Sequence, residues 1–369
     1  MPARHNPPFR AEHIGSLLRP PALREAYKAN MTGTMDDATF HAVQEQAIRD
    51  VVALQESLGL KMVTDGEFRR ASYWGHWVDA IDGLDVAPAL FTFHDAEGEE
   101  QEFIAATCTG KLRKTKPIST EEFEFLKSVT TAEPKITMPS PSTLHFWRLK
   151  DTIAGSGYPT DSDYLSDLCA IFRQEIADLA ALGCRYVQLD EVPLIMLADP
   201  AIQAKVRELG DDPDRLIDLY IDAMNDAVRD RGDVAAGMHV CRGNFKGKWL
   251  TEGGYDAMAE RVFRRVDVDA FMLEYDTERA GGFEPLRHVP DDKMVVLGLV
   301  SSKVPEIEQA DYLEARIAEA SKYIDRNRLA ISPQCGFAST VAGNPVDEAA
   351  EKAKLGTLVE VAKEVWGEA

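Results

Sequence analysis

Near the middle of the chain, the segment Met238-His239-Val240-Cys241 reads as the end of a β-strand. Residues two apart on a strand face the same side, so the His239 imidazole and the Cys241 thiol project together. Farther along, Glu274 in Phe271-Met-Leu-Glu-Tyr275 and Cys335 in Ser332-Pro-Gln-Cys-Gly-Phe337 close two further strand-like runs. One imidazole, two thiolates and a carboxylate form a tetrahedral donor set that zinc accepts. These ligands come from separate strands rather than from the short C-x-x-C knuckles of structural sites, so the expected zinc is catalytic, with His239, Cys241 and Cys335 as the catalytic core. An anionic donor set is a poor generator of hydroxide. It suits a metal that takes up a substrate thiol, lowers its pKa and leaves the sulfur nucleophilic. The plainer alternative is a satisfied core histidine between two buried, inert cysteines.

Two more carboxylates end neighbouring strand-like runs: Glu67 in Asp65-Gly66-Glu67 and Asp190 in Gln188-Leu189-Asp190-Glu191. Together they form a site for a small cation such as an α-ammonium. The structural alternatives are a helix N-cap at Asp190-Glu191 and a surface pairing of Glu67 with Arg69 or Arg70. Directly after Glu67, Tyr73-Trp74-Gly75-His76-Trp77 either walls a second substrate or packs as an aromatic helix stripe.

The elements that must position these groups recur as a short apolar run followed by a helical pattern. The runs are Phe9–Ile14, Lys61–Thr64, Lys135–Met138, Tyr186–Leu189, Val234–Val240, Ala270–Leu273, Met294–Val300 and Leu329–Ile331. Amphipathic helices are expected over Asp37–Leu58, Asp163–Leu182, Pro213–Arg229, Glu306–Ile324 and Asp347–Val365. Near-continuous apolar strands fit a parallel sheet buried on both faces. The expected fold is α/β, a single (β/α)8 TIM barrel over residues 1–369, with the chemistry at the carboxyl ends of its strands. The alternating stretch Leu90–Lys111 around a turn at Asp95–Glu100 predicts a β-hairpin inserted after the second strand, within residues 85–130, as decoration or as a lid.

Composition limits the partners. A net charge of −21 opposes a nucleic-acid surface. No apolar run reaches the ~18 residues of a membrane span. Met1–Arg10 has no apolar segment of a secretory signal. Five scattered cysteines do not form a disulfide framework and fit a reducing, cytoplasmic setting.

The pattern His239-x-Cys241, Glu274, then Cys335 before a glycine resembles the zinc site of cobalamin-independent methionine synthases. His13-Ile14-Gly15-Ser16 resembles that family's Ile-Gly-Ser segment, Asp65-Gly66-Glu67 its Gly-Glu, and Gln188-Leu189-Asp190-Glu191 its Gln-Ile-Asp-Glu. The resemblance implies zinc on His239, Cys241, Glu274 and Cys335. It implies homocysteine held by Ile14 and Ser16, with Glu67 and Asp190 on its ammonium. It covers the family's catalytic half alone, and Phe68-Arg69-Arg70 with Gly298-Leu-Val-Ser-Ser-Lys303 is similar to the short, stand-alone members. The implied reaction is methyl transfer to homocysteine, giving methionine, from methyltetrahydrofolate or a methylcobalamin. A corrinoid protein as donor and a homo-oligomeric state are compatible with it. Two features depart from the pattern. The loop after the seventh strand, Val300-Ser-Ser-Lys-Val-Pro305, lacks the histidine that serves as proton donor in the full-length members, and only Trp147 stands near the place of their folate-stacking tryptophan. Rival readings are epoxide opening by a thiol of the coenzyme M type, a non-catalytic zinc- and thiol-binding protein, and a porphyrinogen decarboxylase, which would leave His239 and Cys241 unused.

Overall fold

The computed structural model describes residues 7–94, 98–341 and 343–369. Its strands, in chain order, are β1 (Met62–Val63), β2 (Ile81–Pro88), β3 (Ile104–Lys114), β4 (Glu133–Pro134), β5 (Ile136–Pro139), β6 (Tyr186–Asp190), β7 (Ala235–Val240), β8 (Ala270–Glu274), β9 (Met294–Val300) and β10 (Leu329–Pro333). β5 to β10 pair in sequence order as one parallel sheet. Every residue of β6, β8, β9 and β10 is buried, as expected for strands covered on both faces.

Both edges of this sheet continue in parallel. β4 runs into β5 and pairs with β1, while Ala11 bridges Ile331 on the far edge. The Ala11 segment and β1 are then joined by Thr64 Oγ1 donating to the Gly15 carbonyl at 2.6 Å and by the Leu17 amide donating to the Gly66 carbonyl at 3.1 Å. The expected apolar runs therefore lie in parallel array, with the first reduced to a single bridge. The architecture is α/β around a parallel sheet.

Helices between the strands follow local signals. The helix Asp37–Leu58 starts where Asp36 accepts the Thr39 amide and stops at Gly59 in the left-handed region, with φ of 92°. Asp161–Ala181 and Pro213–Val228 likewise start on the side-chain caps Thr160 and Asp212. Both lie within two residues of the ranges expected from their apolar spacing. No helix among the described residues is long and apolar enough to cross a membrane.

The antiparallel ribbon differs from expectation. Its long arms are β2 and β3, paired from Ile81↔Lys114 to Pro88↔Ile104. The Leu90–Phe93 stretch contributes only the bridge Phe93↔Gln101, because Leu90 is tied to the Trp147 carbonyl and His94 pairs with Trp249. β2 leaves no clear trace in the sequence because its alternation is interrupted. Gly83 takes φ of 90° and the register shifts between Asp82 and Leu84. Residues 95–97 of the expected turn lie outside the described residues.

Leu297 is completely buried in β9 within the main core. Leu297→Ala is expected to cost about 2–5 kcal/mol by lost burial plus a residual cavity. Urea unfolding should show a lower midpoint at unchanged slope.

Candidate functional site

The register of the sheet aligns the carboxyl ends of its strands. Asp190 lies opposite His239, and Glu274 and Ser332 both lie opposite Gly298. At that end His239, Cys241 and Cys335 converge, all buried, with their ligand atoms within 4.8 Å of one another. The two sulfurs are 3.8 Å apart and not joined. Two thiolates on one tetrahedral zinc, each at ~2.3 Å, would stand roughly 3.8 Å apart. Both ring nitrogens of His239 are buried without a hydrogen-bond partner, which a buried polar group tolerates poorly unless a ligand satisfies it. The residues thus fit a zinc ion. The sulfur–sulfur hydrogen bond between Cys335 and Cys241 holds the Cys335 thiol below its ordinary range, helped by His239, while Cys241 is pushed up.

Neighbouring groups lock Cys335 in place. Ser302 Oγ shares its one proton between Gln334 Oε1 and the Gly336 carbonyl, which also accepts from Asn244 Nδ2 at 3.1 Å. A Cβ on Gly336 would fall 1.9 Å from Ser16 Oγ. Glycine after the cysteine is what allows the Ser16 segment to approach.

Glu274, the fourth expected ligand, is not in this group. Its carboxylate accepts the Arg242 amide at 2.8 Å and Arg279 Nη2 at 2.7 Å, with Lys303 Nζ at 3.7 Å. Here its carboxylate is held by two cations and a backbone N–H, and it fixes the backbone immediately after Cys241. Sequence reading could not have found this, since Lys303 meets Glu274 only on folding and Arg279 reaches back to it from the loop after β8.

A cavity beside the sulfurs is lined by Ile14, Ser16, Glu67 and Asp190 together with His239, Cys241 and Cys335. Glu67 sits at φ of 60°, a left-handed conformation costly for a non-glycine residue and typical of functional sites. Its amide donates to Asp65 Oδ1 at 2.8 Å, and its Oε1 accepts from Thr137 Oγ1 at 2.8 Å with Arg70 Nη1 at 3.9 Å. Burial raises its pKa despite Arg70. Burial likewise raises Asp190 to about 7, with His239 opposing and Glu67 adding to the rise. Glu67 does pair with Arg70, but in the interior rather than at the surface, and Asp190 caps no helix. The cap role belongs to Glu191, which accepts the Leu194 amide at 2.9 Å.

The aromatic stretch divides. Tyr73 lines the cavity, whereas Trp77 stacks on Phe172 at 3.9 Å in the core. Trp147 also faces the cavity, with Phe103 against it at 5.4 Å. Thr137, Asn244 and Phe93 were not anticipated, for isolated polar or aromatic residues carry no signal in sequence.

Residues 9–364 match the family described as "Cobalamin-independent synthase, Catalytic domain". The chain belongs to this family. A Bacillus subtilis (strain 168) member, YxjH, itself uncharacterised, is 38% identical over 367 residues, spanning 97% of this chain and 95% of the relative. Methionine synthase from Pyrococcus abyssi is 26% identical over 325 residues, 88% of this chain and 85% of the relative. Among solved structures, a Listeria monocytogenes protein provisionally described as a vitamin-B12-independent methionine synthase superposes with a TM-score of 0.76 at 29% identity. That likeness covers 98% of this chain and 99% of the other.

Asp190 titrates near 7 against an ordinary value of 3.8. The stability its protonated form contributes is therefore complete below about pH 4 and lost as the pH rises toward about 7. Asp190→Asn should flatten this part of the stability–pH curve, measured by denaturation at a series of pH values.

Proposed function

We propose that this synthase-family protein is a zinc-dependent thiol S-methyltransferase that methylates homocysteine to methionine. What carries the reading is one cavity that sets a zinc-compatible His–Cys–Cys trio beside a buried pair of carboxylates. We read the parallel sheet and its edge segments as the wall of a (β/α)8 barrel, which places this cavity where such folds keep their chemistry.

His239, Cys241 and Cys335 would hold the ion, leaving a tetrahedral position for the substrate. Zinc bound there supplies a lowered thiol pKa and a sulfur that stays nucleophilic. The chain's residues do the rest. Glu67 and Asp190, both costly to keep ionised in isolation, accept the α-ammonium and are relieved by it. Ser16 and Ile14 hold the amino-acid backbone. Tyr73, Phe93 and Trp147 line the cavity and restrict water around the reacting sulfur. The methyl donor is a methylated carrier such as methyltetrahydrofolate or a methylcobalamin. A sulfonate thiol of the coenzyme M type carries no ammonium, so the buried carboxylate pair disfavours epoxide opening. A thiol-binding protein without turnover would leave homocysteine unmethylated when supplied with either donor.

The purified protein is expected to contain about one zinc per chain, and Cys241→Ser and Cys335→Ser should each lose most of it while remaining folded. Metal analysis and circular dichroism check this; full retention of zinc in both variants would remove the central claim.

Asp190→Asn should keep its zinc yet bind homocysteine more weakly. Losing one charge-assisted hydrogen bond costs about 1.5–3 kcal/mol, or roughly tenfold to a hundredfold in affinity. Calorimetric titration reads the change. Mercaptoethanesulfonate preferred over homocysteine by the wild type, with Asp190→Asn neutral, would move the assignment to a sulfonate thiol.

A further inference from the structure

Beneath the carboxylate pair lies a buried chain of polar groups that no step above uses. Lys135, immediately before β5, has a fully buried side chain. Its ammonium donates to Glu12 Oε2 at 3.1 Å, to the His13 carbonyl, and to Gln188 Oε1 at 2.9 Å. A lysine has three protons to donate, and all three are spent here. Gln188, completely buried on β6, donates through Nε2 to the Ile14 carbonyl at 2.6 Å and to Asp190 Oδ1 at 2.7 Å.

The orientation of the Gln188 amide is dictated by chemistry. An ammonium accepts nothing, so the atom facing Lys135 is the oxygen. The atom facing a carbonyl and a carboxylate is then the NH2 group. With the amide turned this way, one oxygen of Asp190 is engaged by Gln188, and the carboxylate keeps acceptor capacity for the cavity that Asp190 lines. The same NH2 group fixes the carbonyl of Ile14 on the opposite wall. Gln188 and Asp190 are two apart on one strand and so share a face.

We infer that Lys135 and Gln188 are positioning residues that set the acceptor thiol's specificity: they lock Asp190 and the Ile14 segment in the geometry that selects an α-ammonium. Their effect passes through Asp190 and leaves the metal ligands alone. This inference rests on the ammonium-bearing acceptor proposed above.

The test compares homocysteine with 4-mercaptobutanoate, the same thiol acid without its amino group, by calorimetric titration of zinc-loaded protein. Gln188→Met keeps the side chain's length and removes its donors. The expected result is unchanged zinc content, a roughly tenfold to hundredfold loss of homocysteine affinity, and unchanged affinity for 4-mercaptobutanoate. Equal loss for both thiols would mean a merely structural role and overturn the inference. So would a variant that discriminates as well as the wild type. Should Gln188→Met fail to fold, the double variant Glu12→Gln/Lys135→Met frees the amide to turn without stranding a buried charge, and the same comparison decides. If the wild type itself binds the two thiols equally, the ammonium reading falls and this inference falls with it. If the wild type discriminates and the variant still does, this inference alone falls.

Discussion

Side chains alternate across a strand, so a one-residue slip in any of the parallel pairings would turn a functional group from the site to the outer face. The pairing of Asp190 with His239, and of Glu274 with Gly298, therefore decides which groups meet. β6, β8, β9 and β10 are buried on both faces, so a slip would exchange one packed face for the other and the register rests on close packing. Packing at Gly298 tightens it further, since a Cβ there would lie 2.8 Å from the Gln334 Cα and 2.9 Å from the Leu273 carbonyl. The hydrophobic sheet is thus also the device that sets distances among polar atoms at its rim.

That rim carries more ionisable groups than burial tolerates cheaply. Each is compensated differently. Glu274 is surrounded by cations and a backbone N–H, which hold its pKa down to about 2 against burial. Glu12 is paired with Lys135 in the interior. Asp190 and Glu67 are pushed up by burial, and His239, whose ring nitrogens complete no hydrogen bond, is raised against burial by Cys335, Asp190 and Glu274 around it.

The loops supply what the strands do not. Ser16 and its neighbours are stitched between the segments after β1 and β10: the Leu17 amide donates to the Gly66 carbonyl and the Phe337 amide to the Ser16 carbonyl. Arg19 donates to the carbonyls of Glu67, Arg70, Ala338 and Thr340. Such backbone-directed bonds make an irregular region rigid enough to present Glu67 in a strained conformation.

The sequence alone determined the local matters. Apolar runs and helical spacing identified the parallel strands and flanking helices, because burial on two faces or one stripe leaves a periodic trace. The spacing of His239 and Cys241 told that they share a face, and motif resemblance named Ile14, Ser16, Glu67, Asp190 and Cys335, all of which line one cavity. Only the tertiary structure decided who competes for each group. Glu274 is joined by Arg279 and Lys303, and Gln188 is reached by Lys135 from the segment just before β5. The reason is physical. Hydrophobic burial is periodic and can be read along one segment, whereas an electrostatic or hydrogen-bond partnership depends on ångström distances between segments that the chain brings together only on folding.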